Sequence, residues 1–347
     1  MDVRDFDFDL PPELIAQEPS AERGGSRLLV LRCSSGALEH ASFAALPALL
    51  QPGDLLVVNN TRVFPARLLG RRVPSGGAVE CLLVADLGDD QWEALVHPGQ
   101  KLKPGAEMIF EGPLTLHGEV LERRFHGRRV VRLWTGGGRS VSDAVDAIGH
   151  IPLPPYIKRA DRAEDRDRYQ TVFARPRGSV AAPTAGLHFT QGSLTALRNG
   201  GVEVAEITLH VGYGTFQPVR VERVEDHRLE PEQYEIDEAA ASALTAALAA
   251  RRRIVAVGTT TTRTLEAVAA RHDGTIVAGR GWADLFIYPG YDFRVVSGLV
   301  TNFHLPQSSL LMLVSAFAGR EAVLEAYRQA VEARYRFYSY GDGMLIL

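Results

Sequence analysis

The chain has 347 residues, 46% hydrophobic and 23% charged, so it can bury a large core and is neither disordered nor fibrous. Lys+Arg of 38 against Asp+Glu of 42 gives a formal net charge of −4, which excludes a globally basic nucleic-acid coat but leaves room for a local basic patch. Cys33 and Cys81 are the only cysteines, so a disulfide framework and a cysteine-based zinc site are not expected, and a reducing cytoplasm is the simplest compartment.

The first 14 residues alternate acids with aromatics and lack the basic and apolar regions of an export signal. Residues 54–58 (DLLVV) predict a buried strand that ends in the polar set Asn59-Asn60-Thr61-Arg62. From about residue 64 to 143 the texture changes to short β-like runs, at 78–84, 92–96, 107–110 and 130–134, separated by Gly- and Pro-containing turns. Strands this short and this regularly spaced predict a small antiparallel barrel. Its basic excess gathers at Arg123, Arg124, Arg128, Arg129 and Arg132, on one predicted hairpin.

Beyond residue 151 the pattern is α/β. A helix at 193–199 leads into a strand at 202–211, and Asp237 is placed to N-cap an Ala-rich helix reaching 253. A strand at 254–257, a Thr-rich turn and a helix at 263–271 follow, then strand candidates at 285–288 and 295–300. Residues 297–319 carry no charge, but polar residues and a proline leave only 310–318 apolar, too short for a membrane span and suited to a core helix at 308–318. A last helix is expected at 321–336. The fold class is therefore a mixed α/β (α+β) domain built from 1–63 and 149–347, with a β-barrel inserted at 64–148.

Ligands of such sheets gather where strands end and helices begin, and several strand ends here turn abruptly into small polar residues. Gly258-Thr259-Thr260-Thr261-Thr262-Arg263 could bring backbone amides, hydroxyls and a guanidinium to an anion or a ribose, yet it lacks the patterns of a Walker or dinucleotide loop. The alternative is a Thr-rich helix cap. Thr184-Ala185-Gly186-Leu187-His188, residues 209–216 with His210, Gly214 and Thr215, and 301–306 with Asn302 and His304 each set a histidine in an apolar stretch. Desolvation would keep such an imidazole neutral, able to act as base or donor, although an isolated histidine of this kind is more often a satisfied core residue. A zinc site formed by these histidines is the sharp alternative. Asn59, Asn60, Thr61 and Arg62 could pair with a base edge or phosphate, or simply cap the strand. The hairpin arginines read as a solvated face or a patch for RNA phosphates.

Six stretches, GDLLVVNNTRVFPARL (53–68), GHIPLPPYI (149–157), VAAPTAGLHF (180–189), TLHVGYGTFQPVRV (208–221), VTNFHLP (300–306) and RFYSYGD (336–342), resemble the S-adenosylmethionine:tRNA ribosyltransferase-isomerase family of the queuosine pathway. The resemblance runs nearly end to end and implies an α/β domain with an inserted barrel, S-adenosylmethionine as co-substrate and no metal. The activity it implies is transfer and isomerisation of the ribosyl group onto 7-aminomethyl-7-deazaguanine in a tRNA anticodon, giving epoxyqueuosine, adenine and methionine. A cytoplasmic monomer is expected. The chain departs from the family where His-x-Met-His-x-Glu is common and His227-Arg228-Leu229-Glu230-Pro231-Glu232 stands, at Tyr213 between two glycines, and at Thr261-Thr262 in place of Ser-Val.

That chemistry needs loss of a proton beside the sulfonium, departure of adenine and attack by the tRNA amine. His188, His210 and His304 are the candidate bases, and Asn302 or a second histidine the donor to the departing adenine. Thr184, Gly186, Gly214, Thr215, Gly258, Thr259, Thr260 and Arg263 are expected to bind S-adenosylmethionine. Asn59, Asn60, Thr61 and Arg62 are expected at the tRNA base, and Arg123, Arg124, Arg128 and Arg129 along the tRNA backbone. Two rival functions are a His-dependent metal hydrolase and a non-catalytic RNA-binding module, though Trp92, Phe110 and Phe125 are sparse for the latter.

Overall fold

The five residues of Leu55–Asn59 are all buried, as in a strand covered on both faces. Because side chains alternate along a strand, Leu55 and Val57 enter one hydrophobic core while Leu56 and Val58 enter another. The computed structural model describes residues 1–347 except for the side chains of residues 126 and 216. In it this strand is central to a nine-stranded mixed sheet, ordered Gly279–Ala283, Glu232–Ile236, Glu203–Leu209, Leu55–Asn59, Ile254–Val257, Gly298–Asn302, Gly343–Ile346, Arg27–Arg32 and Ala37–Ser42. Four neighbours, from Glu203–Leu209 to Gly298–Asn302, run parallel. Their carboxyl ends therefore meet along one edge. Helices Glu238–Ala249 and Thr259–Arg271 pack on these strands, the first through Ala240, Ala241, Leu244 and Ala247.

The inserted unit is a closed antiparallel barrel, ordered Arg128–Thr135, Gln91–His97, Ala78–Gly88, Arg67–Val73, Glu107–Phe110 and Leu116–Arg123. Closure leaves no free strand edge, and Leu68, Cys81, Met108, Phe110 and Leu133 fill its own core. Helix Val141–Ile148, capped by Ser140, follows the last barrel strand and packs against it. The mixed α/β body with an inserted barrel is thus the observed architecture.

Most of the expected elements form, with five differences. The Thr run is the first turn of helix Thr259–Arg271 rather than a turn before it, because Gly258 already serves as its N-cap. The apolar run 285–288 makes no strand, and the strand expected at 295–300 is shifted to Gly298–Asn302. The last helix ends at Glu332, four residues early, with Arg334 in a left-handed turn at φ 54°. Finally, the chain's last strand, Gly343–Ile346, inserts between Gly298–Asn302 and Arg27–Arg32. No helix among the described residues is long and apolar enough to cross a membrane.

Candidate active site

The parallel strands end at Asn59, Leu209, Val257 and Asn302, so the polar clusters that follow them in sequence are brought to the same edge of the sheet. A hollow opens there, lined by Thr184, Thr215, Gly258, Thr259, Thr260, Asn302 and His304, together with Tyr156, Ala182, Leu310, Tyr338, Ser339 and others. Gly258 has φ 94°, a left-handed conformation that favours glycine, and it delivers the helix start Thr259–Thr260 to the cavity wall. The hydroxyls of Thr261, Thr262 and Thr264 turn back onto the carbonyls of Val257, Gly258 and Thr260. Both sequence readings of the Thr run therefore apply to different residues of it.

Of the three histidines, His304 alone lines this hollow. Burial pushes its pKa down to about 3, so the ring is neutral at physiological pH. Tyr327 Oη lies 3.3 Å from Nδ1 and Thr301 Oγ1 3.4 Å from Nε2. His188 stands one residue deeper, stacked on Phe43 at a centroid distance of 4.8 Å. Asn302 Nδ2 donates to His188 Nε2 at 3.2 Å and to Tyr338 O at 3.0 Å. An amide nitrogen can only donate, and the opposite amide orientation would set oxygen against the Tyr338 carbonyl. Hence His188 carries its proton on Nδ1 and donates to Ser26 Oγ at 2.7 Å. Its pKa falls to about 4, chiefly through desolvation.

Two expectations change with this geometry. The basic lone pair of His188 is taken by Asn302, so His188 orients the wall of the hollow instead of facing a substrate. Asn302 has both amide protons committed, and its buried Oδ1 has no hydrogen-bond partner among the described residues; it offers an acceptor, not a donor. His210 is placed elsewhere, with Nδ1 2.8 Å from Thr61 Oγ1 and the ring wedged against Gly178. Desolvation lowers its pKa as well. Among the described residues no group of three His, Cys, Asp or Glu side chains is placed to hold a metal ion, and the three histidines each have separate partners.

The Asn59–Arg62 cluster is occupied by the fold. Asn59 donates to Leu209 O and accepts from the Leu209 and Thr61 amides, stitching two strands together. Asn60 accepts from Thr208 Oγ1 and donates to Glu206, and Thr61 is fully buried. Arg62 is exposed beside Arg177 on a short two-stranded pair away from the hollow. The strand-capping alternative accounts for Asn59, Asn60 and Thr61. Gly186 is likewise internal: a Cβ there would come within 2.8 Å of Thr171 Cγ2 and 2.9 Å of Phe173 Cζ.

Arg263 and Gly214 line a second, narrower hollow that shares Thr215 and Leu310 with the first. On the barrel hairpin, Arg123 and Arg124 are exposed, and Arg124 also reaches Glu93 and Glu122. Arg128 bridges to Glu93 and, at 2.5 Å, to Glu230 of the α/β body. Arg129 is buried and donates to the carbonyls of Leu102, Gly99, Gly127 and Arg128, so it holds the barrel and cannot serve as a surface contact. Phe125 at the hairpin tip is 89% exposed, whereas Trp92 and Phe110 are in the barrel core.

Tyr156, Tyr338 and Ser339 were not among the expected site residues. Tyr156 and Tyr338 pack at a centroid distance of 3.9 Å, and Tyr156 Oη lies 2.5 Å from Ser339 Oγ. Tyr338 has φ 74°, a strained value for a tyrosine that is more often kept at functional sites. The signal available was their presence in the stretches 149–157 and 336–342.

Comparison with known proteins agrees along the whole chain. A tRNA ribosyltransferase-isomerase of Heliobacterium modesticaldum, named for S-adenosylmethionine and tRNA, is 52% identical over 347 residues, covering 100% of both chains. The protein of the same name from Moorella thermoacetica is also 52% identical over the full length of both. The crystal structure of an S-adenosylmethionine tRNA ribosyltransferase from Thermotoga maritima is 39% identical, covers 99% of this chain and 100% of its own, and superposes with a TM-score of 0.55. Residues 3–346 match the family described as queuosine biosynthesis protein, and the chain belongs to that family.

Proposed function

We propose that this protein is an S-adenosylmethionine:tRNA ribosyltransferase-isomerase, moving the ribosyl group of S-adenosylmethionine onto 7-aminomethyl-7-deazaguanine in a tRNA anticodon. Epoxyqueuosine in the tRNA, adenine and methionine are the products. The observation that carries the reading is the single hollow at the carboxyl ends of parallel strands, to which Thr184, Thr215, Gly258–Thr260, Asn302 and His304 come from four distant parts of the sequence. It works as a monomer in the cytoplasm, with residues 64–148 as a tRNA-facing insert in a body made of 1–63 and 149–347.

In this reading the wall of the hollow receives the adenosyl group. The Thr259–Thr260 helix start offers amides and hydroxyls to ribose or carboxylate oxygens. Asn302 Oδ1, buried and unpaired, accepts from an amino or hydroxyl proton of the ligand, and a bound donor removes the cost of leaving it unsatisfied. His304 is the group assigned the proton acidified by the sulfonium, because it is the candidate histidine that lines the hollow and its Nε2 has only a long 3.4 Å contact, to Thr301 Oγ1. No metal enters these steps. Arg123 and Arg124 meet tRNA phosphates.

The test incubates the protein with S-adenosylmethionine and tRNA bearing the aminomethyl base, measuring free adenine and, by mass spectrometry, the added cyclopentane epoxide. His304→Ala should lower adenine release by roughly 10²- to 10⁴-fold, with His210→Ala within a few-fold of the parent. Full activity in His304→Ala overturns the role given to His304; no modified nucleoside with the parent protein overturns the reaction.

A further inference from the structure

The second hollow, beside the first, is lined by the turn Gly212–Thr215 and by Glu230, Glu232 and Arg263. Glu232 lies on strand Glu232–Ile236, two positions after Glu230, and is 6% exposed. Its Oε1 accepts from the Gly212 amide at 3.0 Å. Its Oε2 lies 3.2 Å from Arg263 NH1 as an ion pair but completes no hydrogen bond among the described residues. Arg263 is itself nearly sealed, with Nε donating to Leu285 O at 3.2 Å and NH2 within 3.4 Å of Ala283 O. Gly214 faces this carboxylate pair closely, a Cβ there lying 2.8 Å from Glu230 Oε2.

Arg263 NH1 at 3.2 Å engages Glu232 Oε2 as an ion pair but leaves the oxygen's second lone pair free to accept, and a buried carboxylate gains by having that capacity used. Burial pushes the Glu232 pKa up, opposed by the Arg263 charge and the Gly212 amide, so an added cation would be favoured there. A hollow lined by two acids, Glu230 and Glu232, and one guanidinium, Arg263, suits a zwitterion with its ammonium toward the acids better than a phosphate, which both acids would repel. Thr215 and Leu310 line both, so it adjoins the hollow assigned to the adenosyl group.

We propose that this second hollow is the recognition site for the α-amino-acid end of the sulfonium substrate, with Glu232 Oε2 accepting from the α-ammonium and Arg263 facing the α-carboxylate. The assignment rests on the reading of the first hollow as the adenosyl site. It makes the enzyme selective for ligands that carry the amino acid over the bare adenosyl thioether.

Calorimetric titration of the full chain with S-adenosylmethionine and with 5′-methylthioadenosine tests it. Glu232→Gln, which keeps the shape, should bind S-adenosylmethionine about 10- to 100-fold more weakly, the range of a hydrogen bond to a charged group, while 5′-methylthioadenosine is unaffected. The parent protein should show a loss of similar size for an adenosylmethionine analogue lacking the α-amino group, a measurement that needs no folded variant. Unchanged affinity of Glu232→Gln for S-adenosylmethionine, equal weakening of both ligands, or indifference of the parent to the amino group overturns the proposal and leaves Glu232–Arg263 a structural ion pair. A parent protein that binds neither ligand overturns instead the adenosyl reading on which it rests.

Discussion

Asn302 and His188 act as one unit, because the ring's only acceptor fixes the amide and the amide fixes the ring's tautomer. Removing either partner frees the other, so their effects should not add. His188→Ala and Asn302→Ala are each expected to raise the KM for S-adenosylmethionine about tenfold, and the double variant little further, a coupling within the roughly 0.5–3 kcal/mol seen for contacting residues. His188→Gln, whose side-chain oxygen can replace Nε2 as acceptor, should recover much of the loss; additive effects and no recovery would show that the contact is incidental. The same burial has a consequence for stability. His188 and His304 have folded pKa values near 4 and 3, below the ordinary 6.5, so the unfolded chain binds protons before the folded one does. Stability is therefore full above about pH 6.5 and falls as the solution is acidified toward pH 4, by at most about 1.4 kcal/mol per pH unit for each histidine. Urea midpoints at pH 7.5, 6.5 and 5.5 should decline in that order, and His304→Gln should flatten the decline.

At the scale of elements, the start of helix Thr259–Arg271 depends on Gly258, whose φ of 94° and ψ of 150° an L-residue adopts only under strain. Space is not the obstacle, since the nearest atom to an added Cβ, Thr260 Oγ1, would be 3.7 Å away. Gly258→Ala should thus cost stability by more than about 1 kcal/mol through the backbone alone and shift Thr259–Thr260 in the cavity wall, lowering S-adenosylmethionine affinity with the urea midpoint. A shift in neither would mean the turn relaxes freely. What the sequence made legible follows the same line between local and distant causes. The capping of helix Glu238–Ala249 by Asp237 and the strand Ile254–Val257 are written in adjacent residues. The change from apolar strand to small polar residues after Val257 and near Asn302 was legible too, and with it many of the residues that line the hollow. Strand Gly343–Ile346 was not, because its place depends on pairing with residues some 40 and 310 positions away. Nor was the internal use of Asn59, whose partner Leu209 is 150 residues distant. Tyr338 is mixed, since its turn has a local bond from the Gly341 amide to Tyr338 O but is also tied to Phe303 and Asn302, which are 35 and 36 residues away.

Over the whole molecule the barrel and the α/β body are joined at the edge of the second hollow, where Arg128 of the hairpin meets Glu230 of the body. The departure from the family pattern at Glu230 thereby gains a physical role, since a carboxylate there can pair with the hairpin arginine. Glu93 and Glu230 neutralise Arg128, Arg129 is buried and Arg132 pairs with Glu119, so the charge left for nucleic acid on this hairpin is carried chiefly by Arg123, with Arg124 exposed but shared with Glu93 and Glu122, beside the exposed Phe125. Replacing both by glutamate should weaken tRNA binding and reduce the slope of log affinity against log salt by up to about two, near 0.7–0.9 for each phosphate no longer neutralised. Free S-adenosylmethionine should bind as before, because neither residue touches the hollows. Arg129→Gln is a contrasting case: it removes donors from four carbonyls and should lower barrel stability while leaving the salt slope of any folded fraction intact. Filter binding across roughly 50–300 mM salt, a range over which phosphate neutralisation changes affinity by orders of magnitude, separates the two. An unchanged slope for the double glutamate variant would place the tRNA on another face of the protein.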